Sequence, residues 1–211
     1  MRTSLQAVLL VATAAVGSGC GLRRVPGSVL EKLPYEAKIE LLEAENDLAV
    51  AVDRLDEARN EVTRTRDRIR RAKDRRSAAK DEVGDAKDAP SRQVAELAVA
   101  EAERRVDWLR AVQRVNGKEE DLADRNLTCA KARYEQARLT AARKAKLEGS
   151  ERLDPADFEK QVKDCEARYA EEKDKVKASA AEAETARQSW DQARAALAKK
   201  TFDARASPFV E

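Results

Sequence analysis

The chain has 211 residues, of which 39% are charged and 4% aromatic, and its 42 lysines and arginines nearly balance its 40 aspartates and glutamates. So few aromatic side chains cannot fill a wide globular core, whereas an apolar fraction of 42% is too high for a disordered charged chain. The composition therefore favours a long helical or coiled-coil protein. Nucleic acid is excluded as a main partner, because phosphate binding needs a basic excess.

The residue types needed for common catalytic chemistry are missing. The sequence has no histidine, which removes the commonest general base and the commonest metal ligand. It also has no glycine-rich phosphate loop and no cysteines at metal-binding spacing. We therefore expect no catalytic residues, no metal site and no cofactor, and we predict that the protein is not an enzyme.

The first residues have the pattern of an export signal. Met1 and Arg2 form a short positive end, residues 5–16 are largely apolar, and the next three residues are small. An apolar run this short does not span a bilayer comfortably. We interpret residues 1–19 as a signal peptide that is removed by cleavage between Gly19 and Cys20.

A cysteine directly after small residues resembles the lipobox of bacterial lipoproteins, whose cysteine takes a diacylglycerol and whose new amino terminus is often acylated too. The resemblance implies a lipid anchor on Cys20, with palmitate or a similar acyl chain. Two or three acyl chains hold a protein durably on a membrane. By the sorting rule of that family, Gly21 implies the periplasmic face of the outer membrane. The alternatives are the inner membrane, an uncleaved anchor, and secretion after cleavage by the general signal peptidase.

Residues 20–34 contain two prolines and are expected to form a lipid-anchored spacer. After them a large apolar residue recurs at every seventh position from Leu41 to Val83, interrupted only by Arg76, and a small residue, mostly alanine, recurs three positions later. This pattern predicts a helix over residues 35–88 that packs along its whole length against a partner helix.

Two further helices are predicted, over residues 91–148 and 155–203. Pro90 restarts the helix after the first turn, because proline is accepted at the start of a helix and not inside it. Asp154 caps the third helix, and Pro155 opens it.

The predicted fold class is all-α, an elongated antiparallel coiled coil of three long helices. When the chain folds back at each turn, large apolar residues mostly face small ones across the seams. The helical body covers residues 35–205, and residues 206–211 are expected to form a flexible tail. With the lipid at one end, the first turn and the tail are expected at the far end.

The middle of this body is the weakest part of the pattern. A first turn centred on residue 89 makes Thr65 face Gln113, which is a polar layer. Asn116 and Gly117 lie beside it, and glycine inside a helix costs about 1 kcal/mol relative to alanine. Whether the second helix is kinked at this pair stays open.

The register of the second and third helices is predicted from the two tryptophans. A turn centred near residue 150 places Trp108 on Ala193 and Trp190 on Ala111, so that each large ring lies against a small side chain. Both tryptophans are therefore interpreted as packing residues.

The two internal cysteines have three interpretations. In the tryptophan register Cys129 faces Glu172 and Cys165 faces Gln136, and the two sulfurs are roughly 10 Å apart along the axis, too far for a bridge. A shift of one heptad would join them in an internal disulfide, which an oxidising periplasm favours, and would lose the tryptophan fit. They are otherwise small core residues or form an intermolecular bridge.

A strongly basic run occupies residues 64–76. Its simplest interpretation is a solvated helix face. The alternative is a contact surface for an anionic partner such as a cell-wall polymer, lipopolysaccharide or an acidic protein surface. The residues assigned to that contact are Arg64, Arg68, Arg71 and Arg75.

These features predict a membrane-anchored periplasmic lipoprotein that acts as a structural spacer, tether or scaffold in the cell envelope. It is similar in kind to the murein lipoprotein family. The alternative is an adaptor or regulator subunit, whose hairpin tip around Pro90 engages a secretion or efflux channel or a cell-wall hydrolase. The expected partners are the membrane, through the lipid on Cys20, and a cell-wall polymer or envelope protein. A second copy of the chain could also complete the helix seams.

Overall fold

The computed structural model describes residues 22–201, and within this range the chain contains helices and no strand. The prediction of an all-α chain with three long helices is confirmed. A 3₁₀ turn lies between the last two helices, at Ser150–Arg152. The α-helices are α1 (Gly27–Leu30), α2 (Tyr35–Asp85), α3 (Ala89–Lys144) and α4 (Pro155–Thr201).

Several predictions fall on residues outside the described range. They are the signal peptide, the cleavage site at Gly19 and Cys20, the lipid on Cys20, the end of the third helix at residue 203 and the tail over residues 206–211.

The helix ends follow from local capping chemistry. The Asp88 carboxylate accepts a hydrogen bond from the Ser91 backbone N–H at 2.7 Å, and this bond holds the pKa of Asp88 below its ordinary value. The Asp154 carboxylate accepts from the Ala156 N–H at 3.0 Å, as the predicted cap requires. α3 ends at Lys144, four residues earlier than predicted, and the connection that follows contains left-handed backbone at Gly149, with φ of 89°.

The middle helix, α3, packs against both of the other long helices. α2 packs on one side of α3 and α4 on another, whereas α2 and α4 barely touch each other. At about 1.5 Å per residue, the three helices are about 70 to 84 Å long, and together they are called the rod below. The end of the rod with the 145–154 connection is called the base, and the end with the turn between α2 and α3 is called the tip.

The buried residues of α2 follow its predicted heptad columns. Except for Ala37, every buried residue of α2 lies on one of the two heptad columns that start at Leu41 and Ala44. The direction is antiparallel, since Glu40 near the start of α2 pairs with Lys144 at the end of α3. The buried members of the two columns are Leu41, Ala51, Leu55, Val62, Thr65, Ile69, Ala72 and Ala79.

The described part of the predicted spacer, residues 22–34, is not a free segment and is called the strap below. Val25, Val29 and Leu33 are buried, with only 3%, 7% and 6% of their surface exposed. They recur every four residues and pack on apolar side chains at the base, among them Leu139 and Phe158. The apolar residues of this segment are therefore buried against the rod.

Candidate functional site

The α3–α4 interface has a different register from the predicted one. Cys129 and Cys165 form a disulfide, with their Cα atoms 5.4 Å apart. Trp108 and Trp190 stack on each other, with ring centroids 4.7 Å apart and planes 6° from parallel. The structure thus has the internal disulfide that the alternative register allowed.

The predicted pairs of Trp108 with Ala193 and of Trp190 with Ala111 are wrong, as is the separation of the two cysteines. The reason is the connection between α3 and α4, which is a link of residues 145–154 with a 3₁₀ turn rather than a tight turn at residue 150. In the shifted register, each tryptophan ring loses its predicted contact with an alanine. The two rings stack on each other instead, in a geometry that is itself favourable.

A buried polar contact holds Trp190 in place. The indole Nε1–H donates to Glu101 Oε1 at 2.6 Å, and Glu101 is only 3% exposed. The guanidinium carbon of Arg105 lies 5.6 Å from the Trp190 ring centroid, within cation–π range. This cluster fixes the α3–α4 register, and sequence reasoning missed it because the register was predicted only from the packing of the two tryptophans on alanines.

The polar layer in the middle of the rod joins Thr65 to Asn116 rather than to Gln113. Asn116 Nδ2 donates to Thr65 Oγ1 at 2.7 Å, and both side chains are buried. α3 continues without interruption through this layer and through Gly117. Close by, burial and then the Glu61 carboxylate raise the pKa of Glu119.

The strap is held to α3 and α4 by hydrogen bonds as well as by apolar contacts. The Val25 N–H donates to the buried Glu135 carboxylate at 2.8 Å, and the Arg23 N–H donates to Gln161 Oε1 at 2.6 Å. The Arg23 guanidinium also pairs with Asp157 at 3.0 Å. The chain is therefore fastened to the rod within a few residues of Cys20.

A cavity of about 520 Å³ opens where the strap begins, and we call it the strap pocket. Three of its cations, Arg125, Lys160 and Arg168, have no carboxylate within ion-pair distance in the described chain. The lining residues are Leu22, Arg23, Arg125, Thr128, Asp157, Lys160, Gln161, Asp164, Cys165 and Arg168.

The predicted anionic-partner residues lie on α2 and are mostly engaged within that helix. Arg64 and Arg68 pair with Glu61 at 3.3 and 3.1 Å, and Arg75 approaches Glu82 at 3.9 Å. Arg71 is exposed and has no carboxylate partner among the described residues. Exposed ion pairs are weak, about 0 to 1 kcal/mol each, so they leave these cations able to exchange partners.

A second open cavity, of about 560 Å³, lies at the tip and is called the tip groove. It is bounded by both helices of the α2–α3 hairpin and by the end of α4. Its lining residues are Glu82, Asp85, Ala86, Pro90, Ser91, Val94, Ala95, Ala98 and Lys200.

One apolar stripe is exposed near the base. Tyr35, Ile39 and Leu42 follow each other at helical spacing on α2 and are 74%, 48% and 57% exposed.

Residues 22–201 contain no group of three or more acidic or cysteine side chains placed to hold a metal ion. None of the helices in it is long and apolar enough to cross a bilayer.

Comparisons of the chain with protein-family models, with curated proteins and with solved structures find no match.

Proposed function

We propose that the protein is a lipid-anchored scaffold or tether of the bacterial cell envelope, located at the periplasmic face of the outer membrane and acting without catalysis. Residues 1–19 would be its signal peptide, Cys20 would carry the lipid, and the three long helices would form an antiparallel coiled coil. The buried heptad columns of α2 support the coiled coil.

The observation that carries this proposal is the fastening of the strap. Residues close to the lipobox-like cysteine are held to both α3 and α4, through Glu135 and Gln161. A lipid on Cys20 would therefore be coupled to the whole rod rather than to a loose leader. Such coupling is what a tether or scaffold requires.

The proposal is tested by mass spectrometry of the mature chain and by membrane fractionation of cells that produce it. We expect an amino-terminal Cys20 that carries acyl chains, and a protein recovered with the outer membrane. The matched variant is Cys20→Ala, which keeps every described residue and should be largely lost from the outer-membrane fraction. An unmodified amino terminus, or membrane recovery that Cys20→Ala does not change, would contradict the proposal.

The partner held by the scaffold is proposed to be anionic, either a cell-wall polymer or an acidic envelope protein. The exposed cations of the basic run support this, notably Arg71, which has no partner in the described chain. Cell-wall pulldown should weaken when Arg68, Arg71 and Arg75 are changed to glutamate. Undiminished binding would remove this part of the proposal.

The tip groove favours a second candidate function, that of an adaptor. A partly apolar groove beside Pro90, Val94 and Ala98 is a place where a channel or hydrolase subunit could dock. A photocrosslinker at Ser91 distinguishes the two functions. The control is a photocrosslinker at Glu171, on the exposed face of α4. A single specific product from Ser91 alone would support the adaptor.

A further inference from the structure

The strap determines where a lipid anchor leaves the rod. Leu22 lines the strap pocket beside Thr128 of α3 and Cys165 of α4. Leu22, the first described residue, thus lies at the side of the rod. The two residue steps from Leu22 to Cys20 can span at most about 7 Å, even when fully extended.

The base extends well beyond this point. From Thr128 to the end of α3 at Lys144 the helix covers about 24 Å, and from Cys165 back to the start of α4 it covers about 15 Å. An upright rod with its anchor in the bilayer would push the base into the hydrocarbon. Glu148, Glu151 and Arg152 are exposed there, and charged side chains are excluded from that environment.

We propose that the side face of the rod at the strap pocket is a membrane-contact surface that binds the head groups of anionic phospholipids, so that the rod lies along the bilayer instead of standing on it. The proposal rests on the proposed function in one respect, since it takes Cys20 to be the lipid attachment point. It adds which face of the rod meets the membrane and which lipids that face prefers.

The charges of the pocket fit this partner. Asp157 is already paired with Arg23, so that Asp164 is the one remaining carboxylate against the cations of Arg125, Lys160 and Arg168. Lipid phosphates supply the acceptors that these guanidinium and ammonium groups lack in the described chain. Cationic side chains next to an acyl anchor are the second signal that strengthens binding to anionic membranes.

The test measures the height of the tip above the bilayer. The full lipidated chain carries a fluorescent donor on an added cysteine, Lys87→Cys, at the tip, and the vesicles contain an acceptor-labelled lipid. A rod lying on the surface brings the donor close to the acceptors, whereas an upright rod holds it most of the rod's length, more than about 50 Å, away. We expect strong energy transfer on vesicles with phosphatidylglycerol, and a several-fold loss in high salt or on neutral vesicles.

The decisive comparison removes the same number of charges in two places. The triple variant Arg125→Gln, Lys160→Gln, Arg168→Gln should lower the transfer, because the side face is no longer held on the lipid head groups and the rod tilts away from them. The control Arg66→Gln, Arg71→Gln, Lys73→Gln removes three exposed cations of α2 that likewise have no carboxylate partner in the described chain, and should keep it. Weak transfer for the unmodified side face, or equal loss in both variants, would overturn the proposal. Circular dichroism confirms that each variant remains helical.

Failure of the proposed function gives a different result. A chain without lipid on Cys20, identified by mass spectrometry, is examined for flotation with phosphatidylglycerol vesicles, where the side face acts alone. If the pocket variant no longer floats and the α2 control still does, the proposed membrane-contact surface is supported. Equal flotation of the two variants would overturn it.

Discussion

The base and the tip of the rod are held together by different means. At the base, Phe158 and Leu139 are almost fully buried under Val25 and Val29 of the strap, and the Cys129–Cys165 disulfide lies close by. At the tip, the buried positions between α2 and α3 are alanines such as Ala79 and Ala95, next to an open groove. Large side chains and a covalent link are thus concentrated in the half of the rod that the strap covers.

This difference indicates that the stabilisation from helix packing forms a gradient, which decreases from the base to the tip. Burial of a large apolar side chain contributes about 1.5 to 3 kcal/mol, and burial of an alanine methyl contributes less. Local opening therefore requires less free energy at the tip than at the base. The four experiments below challenge or refine this gradient, from the largest expected effect to the smallest.

The largest effect is expected for Leu41→Ala at the base. Leu41 is 6% exposed and packs with Leu33 of the strap, so its truncation leaves a cavity and should lower the free energy of unfolding by about 2 to 5 kcal/mol. The adjacent variant Leu42→Ala removes the same atoms from a residue that is 57% exposed, and should change the free energy of unfolding by less than about 0.5 kcal/mol. Urea denaturation measures both, and similar values would contradict the packing described for the base.

Removal of the disulfide should lower the free energy of unfolding slightly less than Leu41→Ala does. The bridge closes a loop with a sequence separation of 36, so the double variant Cys129→Ala, Cys165→Ala should lose about 2 to 4 kcal/mol through the greater entropy of its unfolded chain. Hydrogen exchange should show that protection falls first at the base and little at the tip. Equal loss at both ends would mean that the rod opens as one unit and that the gradient does not exist.

The third experiment tests the hydrogen bond between Thr65 and Asn116 in the polar layer at the middle of the rod. The variant Asn116→Ala leaves the buried Thr65 hydroxyl without its donor and should cost about 1 to 3 kcal/mol. The double variant Thr65→Val, Asn116→Leu replaces both partners by apolar groups and should recover most of that loss. If the double variant is as unstable as Asn116→Ala, the layer does not act through this hydrogen bond.

The smallest effect is a pH dependence at the tip. Because the Ser91 N–H holds the pKa of Asp88 below its ordinary value of 3.8, the ionised cap stabilises the start of α3 at neutral pH. This contribution is fully present above pH 3.8 and is lost as the pH falls through the lowered pKa. Hydrogen exchange near Ser91 should therefore accelerate in that range. In Asp88→Asn, which keeps a capping oxygen and does not titrate, the acceleration should be absent.

The lengths and seams of the helices were predictable from sequence because they depend on local periodicity. Leu41, Leu55 and Ile69 recur at heptad spacing whatever the partner helix is, so their burial follows from the pattern alone. The α3–α4 register was not predictable in the same way. A slide of one heptad leaves every apolar residue on its seam, and the choice depends on the 145–154 connection, on the Trp108–Trp190 stack and on the disulfide.

The strap was missed for a related reason. Pro26 and Pro34 indicated a spacer, and three apolar residues are too few for a periodic signal to outweigh them. The spacing of Val25, Val29 and Leu33 was nevertheless visible in the sequence. The strap pocket could not be predicted, since it forms only where the strap crosses residues of α3 and α4 that are far apart in the chain.

The position of the disulfide has a mechanical consequence. A pulling force between the rod and an anchored amino terminus would enter through the bonds of Arg23 to Gln161 and Asp157 on α4, and of Val25 to Glu135 on α3. Such a load tends to peel one helix from its neighbour, starting where it is applied. The sulfur–sulfur bond lies next to that point, so separation of α3 from α4 would stop at Cys129 and Cys165. The force would then be shared by the two helices instead of opening the interface between them.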